Sequence, residues 1–153
     1  KMPAIKRIIM SMGIMLILPG CVGFHYQWHH GKGRTQQVEE KSIEGLWTGS
    51  WQSAKSSHRG KLRCVIRQTS PDSYAFLYRA TWARFITGNF RINCIVNSDQ
   101  GTWRFSGTKD LGILGGKFSH SGTGSATAIR AEYKSEKGDT GIFTLSRPDA
   151  SPH

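Results

Sequence analysis

Lys61-Leu62-Arg63-Cys64-Val65-Ile66-Arg67-Gln68-Thr69, closed by Ser70-Pro71-Asp72-Ser73 and followed by Tyr74–Ala83, is the stretch from which the fold is read. Side chains on a strand point alternately to its two faces. Leu62, Cys64 and Ile66 therefore share one face, and Arg63, Val65 and Arg67 the other. Tyr74, Phe76, Tyr78, Ala80 and Trp82 share a face opposite Arg79. Pro71 presets the turn between the two runs. The pair reads as an antiparallel hairpin with one apolar and one basic face, the pattern of a sheet wetted on one side only.

The alternation recurs on both sides of this hairpin. Gly45–Gln52 precedes it; Phe90–Val96, Thr102–Thr108, Gly116–Ser121, Ser125–Lys134 and Gly141–Arg147 follow it. Turn residues punctuate the series: Gly88-Asn89, Asn97 to Gly101, the glycine-rich stretch around Gly112 and Gly115, and Glu136-Lys137-Gly138-Asp139. Pro148 ends the last strand, because proline cannot donate to a ladder. Phe90, Ile92, Cys94 and Val96 oppose Arg91 and Asn93, while Trp103 and Phe105 oppose Arg104. Eight consecutive hairpin-linked strands close most economically into an all-β, eight-stranded antiparallel up-and-down barrel, which leaves no unpaired edge. The apolar sets fill its interior and the arginines ring its exterior.

Gly45-Leu46-Trp47 resembles the Gly-x-Trp opening of lipocalins and their calycin relatives, avidin-like barrels included. That resemblance implies that Trp47 plugs the closed end of the barrel and that an arginine near the last strand packs over it. Arg147 is the matching residue and Arg130 the other candidate. The length suits an avidin-like or minimal lipocalin-like barrel.

At the other end of the chain, Lys6 and Arg7 precede an apolar run from Ile8 to Leu18, and Leu18-Pro19-Gly20-Cys21 closes it. This is the layout of a secretory signal segment, and the cysteine at its end resembles the lipobox of bacterial lipoproteins, with Leu18 and Gly20 at the matching positions. The resemblance implies a signal peptide over 1–20, lipid on Cys21, a polar tether over 21–42, a barrel domain over 43–148 and a tail over 149–153. It places the protein in the cell envelope, held to a membrane and facing the periplasm or the exterior. A plain signal peptide and an uncleaved anchor are the alternatives; the apolar run is shorter than the ~20 residues that span a bilayer. The whole chain also resembles short bacterial lipoproteins of no established activity. Phe24, Tyr26 and Trp28 alternate within the tether, placed either to sit at a membrane interface or to pack on the domain.

The chain holds 21 Lys and Arg against 10 Asp and Glu, a net charge of +11. Such a balance bears on partners rather than on fold and suits anionic lipid headgroups or envelope glycans. Nucleic acid is set aside: binding single strands needs rings interleaved with cations, and here alternation puts the two classes on opposite faces. Besides Cys21 there are Cys64 and Cys94. They read either as a disulfide, which an oxidising compartment preserves, or as two buried thiols; the strand order does not make them neighbours.

Catalytic signals are weak. His25, His29 and His30 lack a carboxylate or cysteine at ligand spacing, so no metal is expected. His58 and His120 fall in or near loops beside serines, but no Gly-x-Ser-x-Gly elbow or orienting acid accompanies them. Asp72, Asp99, Asp110 and Asp139 sit at turns, leaving Glu132 as the acid placed within a strand. Leu111-Gly112-Ile113-Leu114-Gly115-Gly116 lacks the Lys-Ser/Thr and helix of a phosphate loop. The expectation is a non-enzymatic protein without cofactor. It binds a small hydrophobic ligand among Tyr78, Trp82, Trp103 and Phe105, or anionic envelope components on its exterior. A fully packed core makes it instead a structural or interaction module; a hydrolase using His58 or His120 ranks third.

Overall fold

The structure, a computed structural model, describes residues 20–32, 42–82, 86–111 and 116–148; the side chains of 20–22, 32, 82 and 86 lie outside the described set. A helix α1 (Gly20–Lys32) precedes strands β1 (Gly45–Ser53), β2 (Arg59–Ser70), β3 (Ser73–Trp82), β4 (Ile86–Asp99), β5 (Thr102–Asp110), β6 (Lys117–Gly124), β7 (Ala128–Ser135) and β8 (Thr140–Ser146). Each strand pairs antiparallel with the next, and β1 pairs with β8 from Thr48–Ser146 to Ser53–Gly141, closing the barrel. The expected all-β, eight-stranded up-and-down barrel is the architecture observed.

The interior is the apolar face read from alternation. Trp47, Leu62, Cys64, Phe76, Tyr78 and Ile92 are among the residues wholly enclosed in one core. Arg63, Arg91 and Arg104 are exposed, and Arg67 and Arg79 partly covered. Several strand ends differ from the sequence reading. Gly88 and Asn89 are not a turn: they pair with Ala80 and Arg79, so β4 begins at Ile86. The β6–β7 turn lies at 125–127, where Ser125 N donates to Ala128 O and Ser125 Oγ accepts from Ala128 N. Gly122-Thr123-Gly124 is therefore ladder, opposite Ala131, Arg130 and Ile129. Between β4 and β5, Gln100 and Gly101 have φ of 47° and 82°. Two positive-φ residues match the twist of a tight hairpin, and Gly101 takes its place at no steric cost.

Part of the segment expected as a polar tether over 21–42 is described, and that part is helical. Gly20–Lys32 are helical, and Phe24 and Trp28, one turn apart on one helix face, are buried against Leu46, Val65 and Leu77 on the outside of β1–β3. The rings of Phe24 and Trp28 stack at 5.8 Å, whereas Tyr26, on the opposite side, is 65% exposed. The arginine face fastens the helix: Arg63 lies 5.1 Å over the Trp28 ring, Arg67 Nε donates to Gln27 Oε1, and an Arg79 guanidinium nitrogen meets His25 Nε2 at 3.0 Å. Residues 1–19, 33–41 and 149–153 lie outside the described residues, and with them nearly all of the signal peptide expected over 1–20 and the expected tail.

Candidate functional site

The two ends of the barrel are unlike. One is shut by Trp47 and Arg147. The Arg147 guanidinium lies 3.9 Å over the Trp47 ring and donates to the carbonyls of Ser42, Glu44 and Ala126. Trp47 Nε1 donates to Ile43 O. Arg147 thus ties the segment before β1 and the β6–β7 turn across the opening. Burial lowers its pKa to about 10, still charged at neutral pH. Arg130, the other candidate, is exposed on β7.

The barrel's middle holds a polar cluster. His120 is not in a loop, as the sequence suggested, but within β6, where its inward turn leaves it 3% exposed. Its Nε2 meets the Tyr78 hydroxyl at 2.9 Å, and Cys94 Sγ lies 3.9 Å from the ring nitrogens. Burial lowers its pKa to about 4, opposed by hydrogen bonding to the backbone of His120 and Gly107. A neutral imidazole with its hydrogen on Nδ1 accepts the Tyr78 proton at Nε2. Burial also pushes the Cys94 thiol up to about 12 and the Cys64 thiol well above its ordinary value; the Cys94 charge adds to the latter and a bond from Tyr78 opposes it. Cys64 and Cys94 are free buried thiols on β2 and β4, with β3 between them. Two strand spacings come to roughly 9.5 Å, beyond the ~7 Å that a disulfide bridges. Such thiols are inert rather than nucleophilic.

The other end is open. A cavity of about 440 Å³ enters the barrel there, walled by Trp51, Ala80, Phe90, Phe118 and Phe143, with Tyr133 and Leu111 at its side. Trp51 Nε1 donates to Thr81 O. Polar groups gather on one flank: Ser53 Oγ donates to Asp139 Oδ1 at 2.7 Å and the Tyr133 hydroxyl to Asp139 Oδ2 at 3.1 Å. Burial, then the bond to Asp139, pushes the Tyr133 pKa up to about 12. Ser53 Oγ also accepts from Lys55 N and Ser56 N, so it caps the β1–β2 loop. His58, in that loop, lines the same cavity. Beneath it, Phe90 stacks on Tyr78 at 5.1 Å and the tilted ring of Phe143 lies 5.3 Å from Tyr78, separating the opening from His120.

Of the four residues expected to line a ligand site, the three whose side chains are described, Tyr78, Trp103 and Phe105, do not line this cavity. Tyr78 and Phe105 are in the packed middle, Phe105 against Phe76 at 4.9 Å. Trp103 is at the closed end, beside a hollow of about 410 Å³ bordered by Ser42, Ile43 and Tyr74. Trp82 ends β3 at the open end, and its side chain is outside the described set. Trp51, Phe90, Phe118, Tyr133 and Phe143 were readable as inward-facing, but alternation does not say which end of a strand is open. A larger hollow, about 630 Å³, runs along the outside of β5–β7, edged mainly by hydroxyl and charged groups such as Ser106, Ser121, Glu132 and Lys134. Among the described residues no three His, Cys, Asp or Glu side chains converge on a metal position.

No family model and no curated protein matches the chain. Two solved barrels share its architecture. A redesigned β-barrel, mFAP1, bound to DFHBI, superposes with a TM-score of 0.53 at 17% identity, over 69% of this chain and 94% of that one. A second barrel, a de novo designed fluorescence-activating one, gives a TM-score of 0.50 at 16% identity, over 69% of this chain and 93% of that one. At these identities the likeness shows the fold alone.

Proposed function

We propose that the protein is a non-enzymatic binding barrel of the bacterial envelope, a lipoprotein held by Cys21, that takes a small apolar, ring-bearing molecule at its open end. The observation that carries the binding reading is the ring-walled cavity of about 440 Å³, within the size range of small-molecule sites. Its apolar wall supplies the affinity, and the Ser53–Asp139–Tyr133 flank supplies fixed polar groups to orient a ligand. A barrel of this architecture is recorded bound to DFHBI, so the fold is compatible with small-ligand binding. The location rests on the lipobox resemblance around Cys21. A hydrolase using His120 is disfavoured because that ring is buried and its Nε2 faces the Tyr78 hydroxyl, whereas a serine nucleophile needs the base at its own oxygen.

The test is titration with an anilinonaphthalene sulfonate probe, read by probe emission and by quenching of tryptophan. Binding with a single saturable phase is expected, weakened at least about tenfold in Ala80→Phe, which fills the cavity, and in Leu111→Glu, which charges its edge. Saturable binding that both variants leave unchanged places the probe elsewhere and ends this reading. Absence of binding by any apolar probe supports the fully packed structural module instead.

A further inference from the structure

Charge is divided unevenly around the barrel. Strands β1–β4 carry Arg59, Lys61, Arg63, Arg67, Arg79 and Arg91 against Asp99 alone, which sits at the closed-end tip of β4. Among the described residues the other acids near this half, Glu44 and Asp72, are also at the closed end, Glu44 accepting from Gln68 N. Around β5–β8, by contrast, Asp110, Glu132, Glu136 and Asp139 are mixed among the cations. Helix α1 contains no acid and lies on the basic half. Its early turns border Leu77, Asn89 and Arg91 of β3–β4, while Gly31 at its end abuts Leu46 of β1. The helix start, where Cys21 falls, is therefore next to Arg91. Two residues along the outer ladder from Asn93, on the same face as Arg91, Ile95 is 50% exposed.

We propose that this wall, formed by the outer faces of β2 and β4 around α1, docks on anionic phospholipid headgroups, so that the barrel lies sideways on the membrane rather than floating above it. The idea rests on the envelope reading of Cys21, whose lipid would enter the bilayer beside Arg91. A docked α1 leaves no polar spacer between that cysteine and the barrel, so the anchor brings this wall, and not the mixed β5–β8 wall, to the surface. Each basic side chain at such a surface multiplies partitioning by roughly fivefold, and the attraction is screened by salt. The open end of the barrel, at the ends of the strands rather than on the wall, stays accessible to ligand.

The test uses the full chain carrying Cys21→Ser, so that lipid plays no part, with vesicles of phosphatidylglycerol and phosphatidylcholine and with phosphatidylcholine alone. Cosedimentation is expected with the anionic vesicles only, and is expected to disappear at high salt. The triple variant Arg59→Glu, Lys61→Glu, Arg91→Glu, which spares the three arginines that hold α1, is expected to lose roughly a hundredfold or more in partitioning. Lys109→Glu, Lys117→Glu, Arg130→Glu on the opposite wall changes net charge equally and is expected to lose only a few-fold. Circular dichroism confirms that both sets are folded. Equal losses in the two sets, equal binding to neutral vesicles, or binding to soluble polyphosphate without binding to vesicles each overturn the proposal. Lipid mass on wild-type Cys21 and its recovery in membranes are read separately, so failure of the wall and failure of the anchor are told apart.

Discussion

The Tyr78 hydroxyl and His120 Nε2 stand 2.9 Å apart in the centre of the barrel, enclosed by rings of Phe76, Phe105 and Phe143. A polar pair in such surroundings is stable only while both members are satisfied and uncharged. The His120 pKa is about 4 in the fold against 6.5 in the free side chain. As pH falls, the unfolded chain takes up the proton first. Stability is therefore complete above about pH 6.5 and declines toward pH 4, by on the order of 3 kcal/mol. Urea unfolding from pH 7 to 5 should show the decline, and His120→Leu should remove it. A wild-type curve flat across this window would show that the imidazole is not held neutral.

The same variant measures what the imidazole contributes to the Tyr78 hydroxyl, which keeps Cys64 as a neighbour to bond. His120→Leu leaves Tyr78 without its ring partner, a loss of about 1–3 kcal/mol at pH 7. Adding Tyr78→Phe removes the hydroxyl as well and should recover part of that loss. A double variant that is less stable than the sum of the two single changes would contradict this account.

Arg147 acts as a clamp of fixed shape. Its donors reach carbonyls of Ser42, Glu44 and Ala126 while its plane covers Trp47. Arg147→Ala should cost about 3 kcal/mol in urea unfolding, because three charged hydrogen bonds to partly buried carbonyls vanish together. Arg147→Lys keeps the charge but cannot present a planar fork, and should restore less than half. Full restoration by lysine would reduce the clamp to a point charge.

In the Cys21→Ser chain, Cys64 and Cys94 should be silent to Ellman's reagent in the folded protein and react in urea, with intact mass showing two free thiols. A bonded pair would need backbone movement across β3. Gly107→Ala offers a lever, since its added carbon would meet Cys94 Sγ at 2.8 Å and Asn93 O at 2.5 Å. Crowding of this kind costs about 1–3 kcal/mol, and it should speed labelling by opening the core more often. Unchanged labelling would mean that the ladder yields to the extra methyl.

The barrel was legible because its information is local. Leu62, Cys64 and Ile66 alternate with Arg63, Val65 and Arg67, and a one-residue slip would bury two charges. The Arg147–Trp47 contact was legible through a motif resemblance. His120 was misplaced because Ser119-His120-Ser121-Gly122 is composed like a turn; only the pairing of His120 with Tyr133 and Gly107 makes it strand. The helix was hidden for a related reason. Phe24, Tyr26 and Trp28 satisfy a period of two and, with Tyr26 removed, a period near four, and a single short segment cannot decide between them. The cavity was not legible at all, since which end of each strand is open depends on Trp47 and Arg147 closing the other.

Helix α1 supplies a direct reading of that ambiguity. A 13-residue helix alone is marginal in water, so α1 depends on Phe24 and Trp28 being seated on Leu46, Val65 and Leu77. Those five residues form a cluster separate from the barrel core. Phe24→Ala with Trp28→Ala should therefore release the helix without opening the barrel. Chymotrypsin should cut after Tyr26, within α1, at least about tenfold faster, as expected when local opening loses ~1.4 kcal/mol or more of protection. The thermal midpoint of the barrel should move by only a few degrees, and helical ellipticity should fall while the strand signal persists. A barrel that melts far lower in this variant would make α1 part of one cooperative core, and the rings of Phe24 and Trp28 would then be structural members rather than a fastening.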